Sequence, residues 1–137
     1  MAEKSIRFTL GSDSLFPLSY QRTTGSKTGI TWDVIKFQEG LMIQYGKYAF
    51  SWSTATTLMT GTTGGIYTAA AQNAYYAVTF ADTPTVIVRP SINGTVGTMS
   101  GYTRPLTNYC NIYVFSTSNI TTATSCQVSI LAIGRWK

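Results

Sequence analysis

The chain has 137 residues, a net charge of +5, two cysteines and no histidine. That length suits one domain with a core that needs neither disulfides nor a metal, and the missing histidine argues against a metal site. The ten basic residues are scattered rather than clustered among aromatics, which argues against a nucleic-acid groove.

The N-terminus, MAEKSIRFTL, has no apolar signal-peptide core, and no apolar run in the chain is long enough to span a membrane as a helix. The expectation is a protein made without a cleavable export signal and not inserted in a membrane. In Ser5–Leu10, Ile6, Phe8 and Leu10 alternate with polar residues, a short strand candidate. Pro17 interrupts the following run, and Arg22–Gly29 has loop or linker chemistry. Residues 1–29 read either as a first strand or as an arm to a neighbour, ahead of a domain over 30–137.

Ile30–Trp52 reads as a β-hairpin turning at Glu39-Gly40. A two-residue turn there sets Phe37 against Met42, Ile35 against Gln44 and Val34 against Tyr45. Phe37, Met42 and Ile35 would then cluster on one face, with Val34, Tyr45, Ile43 and Leu41 on the other. Gly46 inside the second strand predicts a bulge or a close backbone approach. Ser53–Asn73 is small, polar and glycine-rich. It reads as a long loop or a weak strand near Ile66–Ala69.

Tyr75–Phe80 reads as a strand, and Asp82–Pro84 as a corner. Thr85–Val88 is almost continuously apolar, as in a central strand that Arg89-Pro90 ends. Ser91–Thr107 has loop chemistry, with Asn93-Gly94 a turn signal. Asn108–Ser118 and Ser125–Trp136 are rich in aromatic and β-branched residues and are predicted to pair as a hairpin. Both faces of that hairpin carry apolar side chains, so it needs a second sheet behind and a neighbour in front. In that register Cys110 would face residue 130, so Cys110 and Cys126 are expected as buried free thiols. Trp136 is expected to pack on the sheet or on a neighbour.

With no stretch of helical period, these pieces predict an all-β chain. About six to eight short strands suit an antiparallel β-sandwich or a jelly-roll-like arrangement.

The order of these pieces resembles the C-terminal domains of bacteriophage tail-fibre and receptor-binding proteins, and the H-type lectin fold to which some of those are similar. The matching residues are Val78-Thr79-Phe80, Thr83–Val88, Asn111–Phe115 and Leu131–Trp136. Upstream, Val34–Tyr48 resembles the fibre hairpin of form Y-x-K-x-x-x-G-x-x-x-x-W-G, with Tyr45-Gly46 where Trp-Gly is usual. The resemblance covers about residues 30–136. It implies an H-type-lectin-like sandwich, a homotrimer on a virion, and binding to a bacterial cell-surface glycan or protein. Contact with other virion proteins would run through the N-terminal arm. The chain has no long repetitive shaft, so a short fibre, a head fibre or a baseplate or capsid accessory fits better than a long fibre. The histidine sugar site of some H-type lectins has no counterpart. The alternative reading is a structural head-fibre, capsid or baseplate decoration protein that binds no receptor.

Catalysis is not expected, and no cofactor is implied. The carboxylates are Glu3, Asp13, Asp33, Glu39 and Asp82, and none forms an evident pair for glycoside hydrolysis. Asp33 alone sits well inside a strand, where it reads as a solvent-facing or hydrogen-bonded acid. No serine or cysteine can find a histidine base. Gly61–Gly65 lacks the lysine of a phosphate loop.

Binding fits better, because rigid aromatics among Ser, Thr, Asn and Gly suit glycan and protein epitopes. The residues singled out are Asn93, Tyr102, Arg104 and Asn108 in one loop, and Tyr67 and Asn73, with Gln72, in the other. For Tyr67 and Tyr102 the competing role is capping the sandwich or packing in a trimer interface. For Arg104 it is a surface or interface ion pair.

Overall fold

A computed structural model describes residues 17–25, 29–52, 56–61, 64–68, 72–92, 99–117 and 124–137. The strand candidate at Ser5–Leu10 and the turn at Asn93-Gly94 lie outside these residues. All regular structure described is β-strand. In chain order the strands are β1 (Pro17–Thr24), β2 (Thr31–Phe37), β3 (Leu41–Trp52), β4 (Thr56–Gly61), β5 (Gly64–Thr68), β6 (Gln72–Tyr75), β7 (Thr85–Ile92), β8 (Met99–Pro105), β9 (Tyr109–Ser116) and β10 (Thr124–Arg135).

Two antiparallel sheets form a β-sandwich. The first has the order β1-β2-β3-β10-β7. In the second, β9 is central: β8 pairs along one edge, and β5 and β6 pair with successive parts of the other, with β4 beyond β5. Alternation builds the core. Trp32 and Val34 of β2, Met42 and Gln44 of β3, and Cys126, Val128, Ile130 and Ala132 of β10 are all buried. Cys110, Ile112 and Val114 of β9 meet them from the other sheet. A side-chain period of two puts each set on one face.

Pairing differs from the sequence expectation in four places. First, β9 and β10 do not form a hairpin. They lie in different sheets, and β10 instead runs between β3 and β7. Both strands have an inward apolar set, and these sets satisfy each other across the core rather than side by side. The connection over residues 117–123 is also longer than tight hairpin loops. Cys110 and Cys126 accordingly sit in opposite sheets, as buried free thiols.

Second, the β2–β3 hairpin is shifted by one residue. Lys36 pairs with Met42, Ile35 with Ile43, Val34 with Gln44 and Asp33 with Tyr45. The loop is Gln38–Gly40, with Gly40 at φ +96° and its N–H donating to the Phe37 carbonyl. Three loop residues with glycine in the left-handed position replace the expected two. One residue of slip exchanges faces. Val34, Met42 and Gln44 therefore point inward, while Ile35, Ile43 and Tyr45 point outward.

Third, the strand expected over Tyr75–Phe80 stops at Tyr75. Gln44 explains the break. Its buried amide oxygen accepts the Ala77 and Val78 N–H groups at 3.1 and 3.2 Å, and its nitrogen donates to the Val78 carbonyl at 2.5 Å. A side chain from the opposite sheet thus takes the place of a ladder neighbour. Tyr76 and Phe80 turn inward and meet edge to face at 5.1 Å.

Fourth, Thr85–Val88 is not central. β7 closes an edge of the first sheet and continues through Pro90 to Ile92, with Ile87 60% exposed. Proline is tolerated there because an edge strand has one unpaired side. The expected loop over Ser91–Thr107 also contains β8, and the glycine-rich stretch over Ser53–Asn73 contains the β4–β5 pair.

Gly46 makes the close approach expected of it. A Cβ there would lie 2.7 Å from the Trp32 ring. The C-terminus ties the first hairpin down. The Trp136 N–H donates to Gly40, and its indole N–H donates to the Phe37 carbonyl at 3.0 Å.

Candidate functional site

The outer face of the second sheet gathers the polar and aromatic groups. β9 projects Cys110, Ile112, Val114 and Ser116 inward, so Tyr109, Asn111, Tyr113 and Phe115 project outward. At about 3.3 Å per residue, Tyr109 and Tyr113 emerge roughly 13 Å apart with Asn111 between them.

Register brings neighbours to each. Tyr75 of β6 pairs with Tyr109, and the rings lie 5.1 Å apart, tilted by 38°. Asn73 and Arg104 flank Asn111 on either side. Directly opposed residues of antiparallel strands share a face, so Asn73, Asn111 and Arg104 form one row across three strands. The Asn111 amide nitrogen donates to the Asn73 amide oxygen. That leaves the Asn73 nitrogen and the Asn111 oxygen for solvent or a ligand. Arg104 and Asn73 are exposed.

Of the residues singled out from sequence, Asn73 and Arg104 come together here. Asn108 is exposed beside this row, in the β8–β9 turn, where its carbonyl accepts the Tyr76 N–H at 3.1 Å. The backbone of Tyr102 pairs with Tyr113, and its side chain lies outside the description. Asn93 lies outside the described residues. Tyr67 is half-buried and packs against the core, away from this row. Gln72 also faces inward and accepts a hydrogen bond from the Tyr48 hydroxyl of the first sheet at 3.3 Å.

Sequence reasoning did not single out Tyr75, Tyr109 and Asn111 for this site. The signal present is the alternation of Asn108–Ser118, which sets Tyr109 on the face opposite Cys110, Ile112 and Val114 without saying which face is outward. The partner strands are not legible, because the loop chemistry of Ser91–Thr107 hides β8.

Beneath the row, burial pushes the Cys110 thiol up, while the Tyr76 and Thr103 hydroxyls beside it pull the other way. Both hydroxyls are buried and have no other partner among the described residues. This cluster is neutral packing and offers no activated nucleophile. No group of three or more potential metal ligands exists among the described residues. The face offers stacking surfaces, amide hydrogen bonds and one guanidinium, which is chemistry for holding a ligand.

No protein-family model, no curated protein and no solved structure matches this chain. The likeness to phage fibre domains therefore rests on the short motifs quoted above.

Proposed function

We propose that this chain is a non-enzymatic phage virion protein, a short fibre or fibre-tip module, that binds a host-surface glycan or protein through the outer face of its second sheet. The observation that carries this reading is the row Asn73–Asn111–Arg104 set beside the Tyr75–Tyr109 ring pair. Tyrosine faces and paired amides are the groups that recognise flat, hydroxylated epitopes with little ordering cost. The motif order over residues 30–136 supports the virion assignment. Attachment to other virion proteins is assigned to the residues before Pro17, since Pro17–Thr24 is already a strand of the first sheet.

The module is a homotrimer in this reading. The outer face of the first sheet supports it, because Ile43 and Ile133 are only half-buried and Ile87 is 60% exposed. Ile43 of β3 pairs with Ile133 of β10, and in the next row Leu131 of β10 lies between Tyr45 of β3 and Ile87 of β7. A contiguous apolar patch of this kind marks an interaction surface.

Binding of multivalent protein to an array of bacterial surface glycans, or to host cells, tests the proposal. Signal lost in Tyr109→Ala and Arg104→Ala, with folding intact, is the expected result. Absence of any binding at high avidity would transfer the chain to the decoration-protein reading.

A further inference from the structure

A second cluster of chemistry lies on the opposite side of the molecule, near the β1 edge of the first sheet. A groove of about 360 Å³ is lined by Arg22, Gly29, Thr31, Asp33, Tyr45 and Lys47, with the backbone of Gly46. Pairing register builds it. Arg22, Asp33 and Tyr45 are opposed across β1, β2 and β3, and Thr24, Thr31 and Lys47 form the next row on the same face. Its volume falls within the range of small-ligand sites, about 300–1,000 Å³.

The charges within it are arranged rather than scattered. Tyr20 donates to Asp33 Oδ1 at 2.7 Å, and Arg22 Nε lies 3.8 Å from the same oxygen. Asp33 is thereby held by two groups, and Arg22, though 66% exposed, is drawn toward the groove. Lys47 lies on the far side with no ion pair among the described residues. Two cations against one carboxylate leave the groove with one positive charge. A monoanion matches that balance. A phosphate dianion would leave the groove with a net negative charge.

The remaining lining argues for a sugar rather than a bare carboxylate. Tyr45 is 38% exposed and offers a ring to stack on. The Thr31 hydroxyl and the second Asp33 oxygen are suited to ligand hydroxyls. We propose that the Arg22–Tyr45–Lys47 groove binds a carboxylate-bearing sugar, a uronic or sialic acid residue, with Lys47 meeting the carboxylate and Asp33 accepting from a hydroxyl. This site is separate from the outer face of the second sheet and does not depend on it.

The test is an amide-resolved NMR titration of the full chain with methyl glucuronide and with N-acetylneuraminic acid. Methyl glucoside, acetate and inorganic phosphate are the controls. Saturable shifts at Arg22, Thr31 and Tyr45 with an acidic sugar are expected, weakening with added salt. Lys47→Met should reduce affinity about tenfold, the loss of one charge-assisted hydrogen bond. Tyr45→Ala should weaken the acidic sugar and leave any acetate response unchanged. Tyr109→Ala should change nothing here, which keeps this inference distinct from the receptor-binding face. No saturable shift, or equal shifts with methyl glucoside, would overturn the proposal. Equal response to acetate or phosphate would reduce the groove to a general anion site and would also overturn it.

Discussion

Gly134 lies against Phe80 so closely that a Cβ at position 134 would sit 2.9 Å from the phenyl ring and 3.0 Å from Pro84. Two neighbouring motif pieces, Val78–Phe80 and Thr83–Val88, therefore meet a third from far along the chain, Leu131–Trp136, at one corner. The Ala81 N–H donating to the Arg135 carbonyl at 2.7 Å closes it. Gly134→Ala should destabilise the fold by about 1–3 kcal/mol, because a methyl group must displace a packed ring and a proline. Gly46→Ala should do the same through Trp32. Urea unfolding measures both, and an unchanged midpoint would mean the corner is loosely packed.

Gln44 is the buried group whose removal should matter most. Gln44→Leu would strand two N–H groups and one carbonyl of residues 77–78 in the core. The expected loss is about 2–4 kcal/mol. A Gln44→Glu variant should fare no better, since it loses the donor to Val78 and buries a charge.

Stability should fall at alkaline pH. Burial pushes the Cys126 thiol from an ordinary 9.0 up to about 11. The unfolded chain releases this proton first, while the folded chain keeps it. The stabilising contribution is thus complete below pH 9 and is lost as pH rises through 11. Cys110 is raised as well and acts in the same direction. Following the urea midpoint from pH 8 to 11 checks this, and Cys126→Ala should flatten part of the slope.

Association should depend on the outer face of the first sheet. Light scattering at low micromolar concentration should give three times the 14.9 kDa chain mass. Ile87→Glu should lower that mass without unfolding the chain, because Ile87 is already exposed in the single subunit. A monomeric wild type would remove the trimer from the account.

Strand content was legible because β-branched and aromatic runs with period two mark strands locally. Which strands pair was less so. The Asn108–Ser118 and Ser125–Trp136 runs look like hairpin partners, yet each finds its neighbours elsewhere in the chain. Register at Gln38–Gly40 turned on one loop residue, which composition does not decide. The end of β6 depended on Gln44, thirty-odd positions away, and no local signal at Tyr76–Phe80 reveals that. Arg104 and Asn73 stand out in sequence as polar loop candidates, but their convergence on Asn111 needs β8 to be a strand. Asp33, expected as a solvent-facing or hydrogen-bonded strand acid, accepts from Tyr20 and lies beside Arg22.

The most direct test of the central claim is binding of multivalently displayed protein to bacterial surface glycans, comparing wild type with a Tyr109→Ala, Asn111→Ala double variant. At least one glycan should be bound by wild type and lost in the variant, with unfolding midpoints that agree closely. Binding of a neutral glycan that survives the double substitution, or no binding to glycans or host cells at any avidity, would contradict it.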